Sequence, residues 1–178
     1  MKAAVFLDRD GTINKQVRGY LTRVDEFEFA EDALQSLKKL KDSGFLLVVV
    51  TNQSAVGRGL ISEKHLKEIN TYMRSELQVR GVLLDGIYSC PHTPQQKCSC
   101  RKPEIGLIKK AERELNIDPA TSFMVGDKTT DIKCGQNANL TTILLKTGYA
   151  GEDGNFQVKA DYEADNLGEA ARIIKSLA

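Results

Sequence analysis

Two aspartates one residue apart, Asp8 and Asp10, close the apolar run Ala3–Leu7. A carboxylate is ionised at neutral pH and can attack phosphorus without a separate base, provided that something neutralises the repulsion from the phosphate. Magnesium does this, because it takes hard oxygen ligands and keeps several waters. On this reading Asp8 is the nucleophile of a phosphoryl transfer. Asp10 would protonate the departing alcohol and later accept a proton from the hydrolytic water. A solvated Asp-Arg-Asp turn accounts for the same residues, so the reading needs support from elsewhere in the chain.

That support comes from the elements that would position the pair. Ala3–Leu7 has no polar alternation and suits a parallel strand covered on both faces, with Gly11 marking the turn. Phe45–Val50 repeats the pattern and ends in Thr51-Asn52-Gln53-Ser54, and Ser122–Gly126 repeats it again before Asp127. Gly86–Ser89 and Thr141–Leu145 read as two further strands. Between them, amphipathic helices are predicted over Glu31–Ser43, after Ser62, from Pro103 and over Asn166–Leu177. Alternating strands and helices imply a single doubly wound α/β domain over residues 1–178, with a mainly parallel sheet and right-handed crossovers. Such sheets bind ligands at the carboxyl ends of their strands, where Asp8, Asp10, Thr51, Asn52 and Asp127 would converge. Asp127 would complete the magnesium site, and Lys102 and Thr51 would balance charge on the phosphoryl oxygens. Asp131 could serve as a further ligand or as a helix-start residue supporting the site. Ile13–Glu28 shows no clear periodicity and reads as a loop or flap.

Composition limits the alternatives. With 178 residues the chain can bury an ordinary core. Its 25 basic and 24 acidic residues argue against a nucleic-acid or membrane-surface protein driven by net charge. No segment is long and apolar enough to span a bilayer, and no signal stretch opens the chain, so the cytoplasm is the expected location. There cysteines stay reduced, and Cys90, His92, Cys98 and Cys100 form a Cys₃His set suited to a closed, structural zinc site. A surface loop with reduced thiols is the plain alternative. His65 reads as a solvated helix residue and Cys134 as small buried packing. Arg58 either faces solvent or, in a bisphosphate enzyme, holds the phosphate that is not cleaved.

Taken together, Asp8-Arg-Asp10-Gly-Thr, Thr51-Asn-Gln-Ser, Arg101-Lys102-Pro and Gly126-Asp127-Lys-x-x-Asp131 resemble the four motifs of the haloacid dehalogenase superfamily, in order and across residues 3–150. Gly57-Arg58-Gly59 and the cysteine loop before Arg-Lys-Pro further resemble its sugar bisphosphate phosphatases. The resemblance implies a fold with no large cap domain. It implies magnesium on Asp8, the Asp10 carbonyl and Asp127, and an aspartyl-phosphate on Asp8. Arg101 would recognise substrate, and the Gly19-Tyr20 flap, the Gln53–Arg58 loop (with Ser54) and the cysteine loop would enclose a small phosphorylated sugar. A histidinol-phosphate or broad small-phosphate phosphatase is the alternative within enzymes, and a catalytically silent zinc-bearing interaction domain the alternative outside them. With no coiled-coil pattern, a monomer is the expected state.

Overall fold

The computed structural model describes residues 1–178. In chain order it forms β1 (Ala4–Leu7), α1 (Ala33–Asp42), β2 (Leu46–Asn52), α2 (Ser54–Gly57), α3 (Glu63–Val79), β3 (Gly86–Cys90), α4 (Gly106–Leu115), β4 (Phe123–Gly126), α5 (Thr129–Asn137), β5 (Thr141–Leu145), β6 (Tyr162–Ala164) and α6 (Leu167–Leu177). All six strands pair in parallel, in the order β3-β2-β1-β4-β5-β6.

The central strand β1 is buried along its whole length, and its side chains divide between two cores. Val5 and Leu7 join Leu37, Leu40, Ile69, Met73 and Ile174 on the face covered by α1, α3 and α6. Ala4 and Phe6 join Val48, Ile108, Ala111 and Met124 on the face covered by α4 and α5. This period-two division of an unbroken apolar run is what a strand in a three-layer sandwich requires. In register, Leu7 pairs with both Val49 and Val125, so the residues after β1, β2 and β4 emerge at one edge.

Side-chain caps set two of the helix starts. The Ser62 hydroxyl accepts from the His65 amide at 3.2 Å and caps α3, and Asn166 plays the same part at α6, accepting from the Glu169 amide at 3.0 Å. Three expectations change. The strand predicted to end at Val50 continues through Asn52, because Thr51 and Asn52 keep pairing with Ser89 and Cys90. The helix predicted from Pro103 begins at Gly106: residues 101–104 form a turn in which the Glu104 amide donates to the Arg101 carbonyl at 2.8 Å. The strand β6 has no counterpart in the sequence pattern, since two of its three residues, Tyr162 and Glu163, are exposed and leave no apolar run to detect.

Candidate active site

The shared sheet edge gathers three carboxylates, Asp8, Asp127 and Asp131, whose ligand atoms lie within 4.8 Å of one another. All three are buried, and two lysines balance them. Lys102 Nζ donates to the Val50 carbonyl at 2.7 Å and forms ion pairs with Asp8 at 3.0 Å and with Asp131 at 2.6 Å. Lys128 Nζ approaches Asp8 at 3.4 Å and Asp127 at 3.9 Å, and stands 5.2 Å from the centre of the Tyr149 ring. Lys102 therefore reaches the site through the sheet edge rather than from a helix N-terminus, because α4 starts four residues later.

The charges have opposite effects on two aspartates. Burial pushes the Asp8 carboxyl up, but the Lys102 and Lys128 ammonium groups outweigh it and hold Asp8 well below the usual carboxylate range. For Asp127 burial dominates: Lys128 offsets it only in part while Asp8 adds repulsion, and the carboxyl is pushed up to about 7. Asp127 Oδ2 accepts from the Tyr149 amide at 2.7 Å, whereas its Oδ1 is buried with no hydrogen-bond partner. A Cβ at Gly11, which has φ +85°, would press against this carboxylate, and one at Gly148 would do the same. An orphaned oxygen in a trio of buried carboxylates fits a hard divalent cation. The Asp10 carbonyl accepts no hydrogen bond within the chain and remains available to such an ion.

Of the residues expected around the metal, Asp8 and Asp127 come together with Asp131, the further ligand that the sequence left open. Asp131 stands in the carboxylate trio, and the Asp10 side chain points elsewhere. Asp10 accepts from Arg9 Nη2 at 3.0 and 3.1 Å, from Gln53 Nε2 at 2.8 Å and from Asn14 Nδ2 at 3.1 Å. Gln53 also donates to the Thr51 hydroxyl at 2.9 Å, so Thr51, Gln53 and Asp10 form one chain of contacts. Asn52 is tied to Lys102 in both directions, accepting its amide at 3.0 Å and donating to its carbonyl at 3.1 Å. The 102–103 turn is thereby fixed to the end of β2.

A cleft of about 250 Å³ opens onto this edge, lined by Asp10, Tyr20, Asn52, Gln53, Ser54, Arg101 and Lys128 among others. Two wider grooves beside α3, of about 660 and 760 Å³, reach none of the buried carboxylates. Arg58 is exposed at the end of α2 and does not line the cleft. Lys128, Arg9 and Tyr149 are the site residues that sequence reasoning passes over. Lys128 lies directly after Asp127 and is legible as a neighbour, while the other two give no signal of their own.

Cys90, His92, Cys98 and Cys100 converge beside the cleft, with sulfur–sulfur distances of 3.1–3.5 Å and His92 Nδ1 at 3.3 and 3.5 Å from two sulfurs. Thiolates at about 2.3 Å from a tetrahedral zinc stand roughly 3.7 Å apart, so the four donors fit that ion. Arg101 follows the loop and donates to the His92 carbonyl at 3.1 Å.

A parallel sheet with buried carboxylates and two lysines at its carboxyl edge defines a hydrolase of the haloacid dehalogenase type, and a HAD-hydrolase-like family model matches residues 99–170. The chain is 45% identical to the D-glycero-beta-D-manno-heptose-1,7-bisphosphate 7-phosphatase of Pasteurella multocida, over 99% of both chains. It is 46% identical to the enzyme of that name from Escherichia coli K12, over 82% of this chain and 80% of the other. The crystal structure of D,D-heptose 1,7-bisphosphate phosphatase from B. bronchiseptica, complexed with magnesium and phosphate, superimposes with a TM-score of 0.91 at 29% identity and full coverage of both chains. The chain belongs to the heptose-bisphosphate phosphatase family of the HAD superfamily.

Proposed function

We propose that this chain is a magnesium-dependent phosphatase that removes the 7-phosphate of D-glycero-D-manno-heptose 1,7-bisphosphate, in the making of nucleotide-activated heptose for lipopolysaccharide core, and works in the cytoplasm as a monomer. The observation that carries the chemistry is the buried Asp8 held ionised between Lys102 and Lys128 at the edge of the cleft. Full-length similarity to phosphatases of that name supports the substrate.

Asp8 attacks the phosphorus of the 7-phosphate, and the bond from phosphorus to the sugar oxygen breaks. Asp10 gives that oxygen its proton. Once the alcohol has left, the Asp10 carboxylate takes a proton from the incoming water, which attacks the aspartyl-phosphate, releases inorganic phosphate and restores Asp8. Lys102 and the Thr51 hydroxyl balance charge on the non-bridging oxygens, with Lys128 adding a second cation near Asp8. Asp8, the Asp10 carbonyl and Asp127 would hold magnesium, with Asp131 beside them, and the ion supplies neutralisation of the phosphate charge. Asn52, Gln53 and Ser54 shape the cleft floor; Tyr20 and Arg101 face the sugar. Zinc on the Cys₃His set would hold the loop that delivers Arg101 and Lys102.

The test is phosphate release, with magnesium, from heptose 1,7-bisphosphate and histidinol phosphate side by side. A kcat/KM preference of about a hundredfold for the heptose, about 2.7 kcal/mol, is expected. Preference for histidinol phosphate would overturn the substrate assignment and keep the reaction class.

A further inference from the structure

Arg9, which separates the two aspartates in the N-terminal motif, has a fully buried side chain, and the proposed reaction gives it no role. Each of its three nitrogens has an acceptor. Nε and Nη2 fork onto the Asp10 carboxylate, with Nε 3.2 Å from Oδ1, and Nη2 also donates to Gln53 Oε1 at 3.1 Å. Nη1 donates outward to Asn70 Oδ1 on α3 at 3.0 Å, and Asn70 Nδ2 reaches the Ser89 hydroxyl on β3 at 3.3 Å. The main chain of Arg9 is equally constrained: its carbonyl accepts from the amides of Thr12, Ile13 and Asn14 at 3.3, 2.9 and 3.1 Å. The result is a continuous line from β3 through α3 to the carboxylate that faces the cleft.

We propose that Asn70 and Arg9 are positioning residues that fix the orientation of Asp10 for proton transfer, making α3 a structural part of the acid–base half of the site. The inference rests on the proposed role of Asp10. A fork of charge-assisted hydrogen bonds sets both the position and the plane of a carboxylate, which a single ammonium contact would not do. Asn70 Oδ1 is the one acceptor of Arg9 Nη1, and losing it would leave a buried charged nitrogen with no partner, at a free-energy cost that favours a shift of the group. Asn70 supplies that acceptor from the wall of the outer groove, half-buried and away from Asp8, Lys102 and the carboxylate trio. Proton transfer is sensitive to small misplacements of the donor, so a remote contact of this kind can act on rate without touching substrate.

The distinguishing experiment uses the leaving group. p-Nitrophenolate departs without needing a proton, whereas a sugar or alkyl alkoxide does not, so the first turnover of the two substrate types separates general-acid placement from everything else. For Asn70→Ala we expect the first-turnover rate on heptose 1,7-bisphosphate or histidinol phosphate to fall about tenfold or more. The nitrophenolate burst from p-nitrophenyl phosphate should stay within about twofold, KM should be unchanged, and Asn70→Asp, which keeps the acceptor, should restore the rate. Equal losses on both substrate types, or no loss on either, would overturn the relay. Wild-type protein that hydrolyses histidinol phosphate but not the heptose ester would remove the substrate assignment alone, because the Asn70 comparison can still be made. Wild-type protein that hydrolyses no phosphate ester would remove both.

Discussion

The molecule holds two clusters of metal-ligating side chains that differ in what surrounds them. The carboxylates Asp8, Asp127 and Asp131 lie at the carboxyl edge of the sheet, are countered by lysines from separate loops, and leave Asp127 Oδ1 without a partner. The Cys₃His donors contact one another at 3.1–3.5 Å, and none of them lines the cleft. The first cluster has spare coordinating capacity and charge that a phosphate could share. The second is a closed set with nothing left to offer. Chemistry belongs where ligation is incomplete, and stability where it is complete.

The strongest way to break this distinction is to neutralise one ligand in each cluster. Asp127→Asn should lower kcat by about a thousandfold or more, since it removes a ligand charge from the proposed magnesium site. Its thermal midpoint in the absence of metal should nevertheless not fall, and at pH 8 it should rise. The folded-state value of about 7 lies above the ordinary 3.8, so the folded chain binds more protons than the unfolded chain between those limits. The stability contributed by a protonated Asp127 is present below about pH 4 and is lost as the pH rises to about 7. A large drop in melting temperature together with lost activity would assign the carboxylate cluster a structural role.

Cys100→Ser tests the other side. It should lower stability by about 2–4 kcal/mol and abolish stoichiometric zinc, read by melting and metal analysis, while the folded fraction keeps its response to magnesium. A variant that kept its full melting temperature would show that the loop does not depend on a bound ion.

A smaller effect sharpens the electrostatics. Because magnesium must displace the proton that burial retains on Asp127, its apparent affinity should weaken by up to about tenfold for each pH unit below 7. Isothermal titration at pH 6, 7 and 8 reads this directly. An affinity flat across that range would mean that Asp127 is already ionised in the free protein.

The same comparison explains which parts of the molecule the sequence discloses. Apolar runs that end in polar residues mark three of the six strands most clearly, because full burial leaves an unbroken pattern at Ala4–Leu7, Leu46–Val50 and Phe123–Gly126. The strand β6 escapes because a three-residue edge strand with two exposed side chains has no such pattern. The four candidate donors of the cysteine loop are legible because cysteine and histidine are rare in the chain and closely spaced there. The carboxylates Asp8 and Asp10 are legible as types, but not the turning of the Asp10 side chain away from the carboxylate trio. That turn depends on Gln53, 43 residues away, and on an arginine that reads as solvated by composition and is held by Asn70, 61 residues further on. Asp131 enters the trio because α5 begins directly after β4 and its first turn folds back over the sheet edge, where the Lys128 amide donates to Asp131 Oδ2 at 3.1 Å. That helix-start contact is local and legible in the sequence, whereas the contacts that turn Asp10 come from tertiary packing and have no local signature.

The smallest effect is expected at Arg58, where motif reasoning and geometry diverge. Glycines flanking a cation suggest a phosphate loop, yet α2 carries Arg58 outward: its amide closes the helix by donating to the Ser54 carbonyl at 3.0 Å, and its side chain is exposed. Arg101 and Lys128 instead line the cleft beside Asp10. An exposed cation outside the cleft contributes little to a bound phosphate in water and salt. Arg58→Ala should therefore leave kcat/KM for the heptose bisphosphate within about twofold, while Arg101→Ala raises KM by about tenfold or more. If Arg58→Ala instead raised KM tenfold with kcat unchanged, the α2 loop would have to swing over the cleft when substrate binds, and the active edge would extend beyond the cleft described by the free chain.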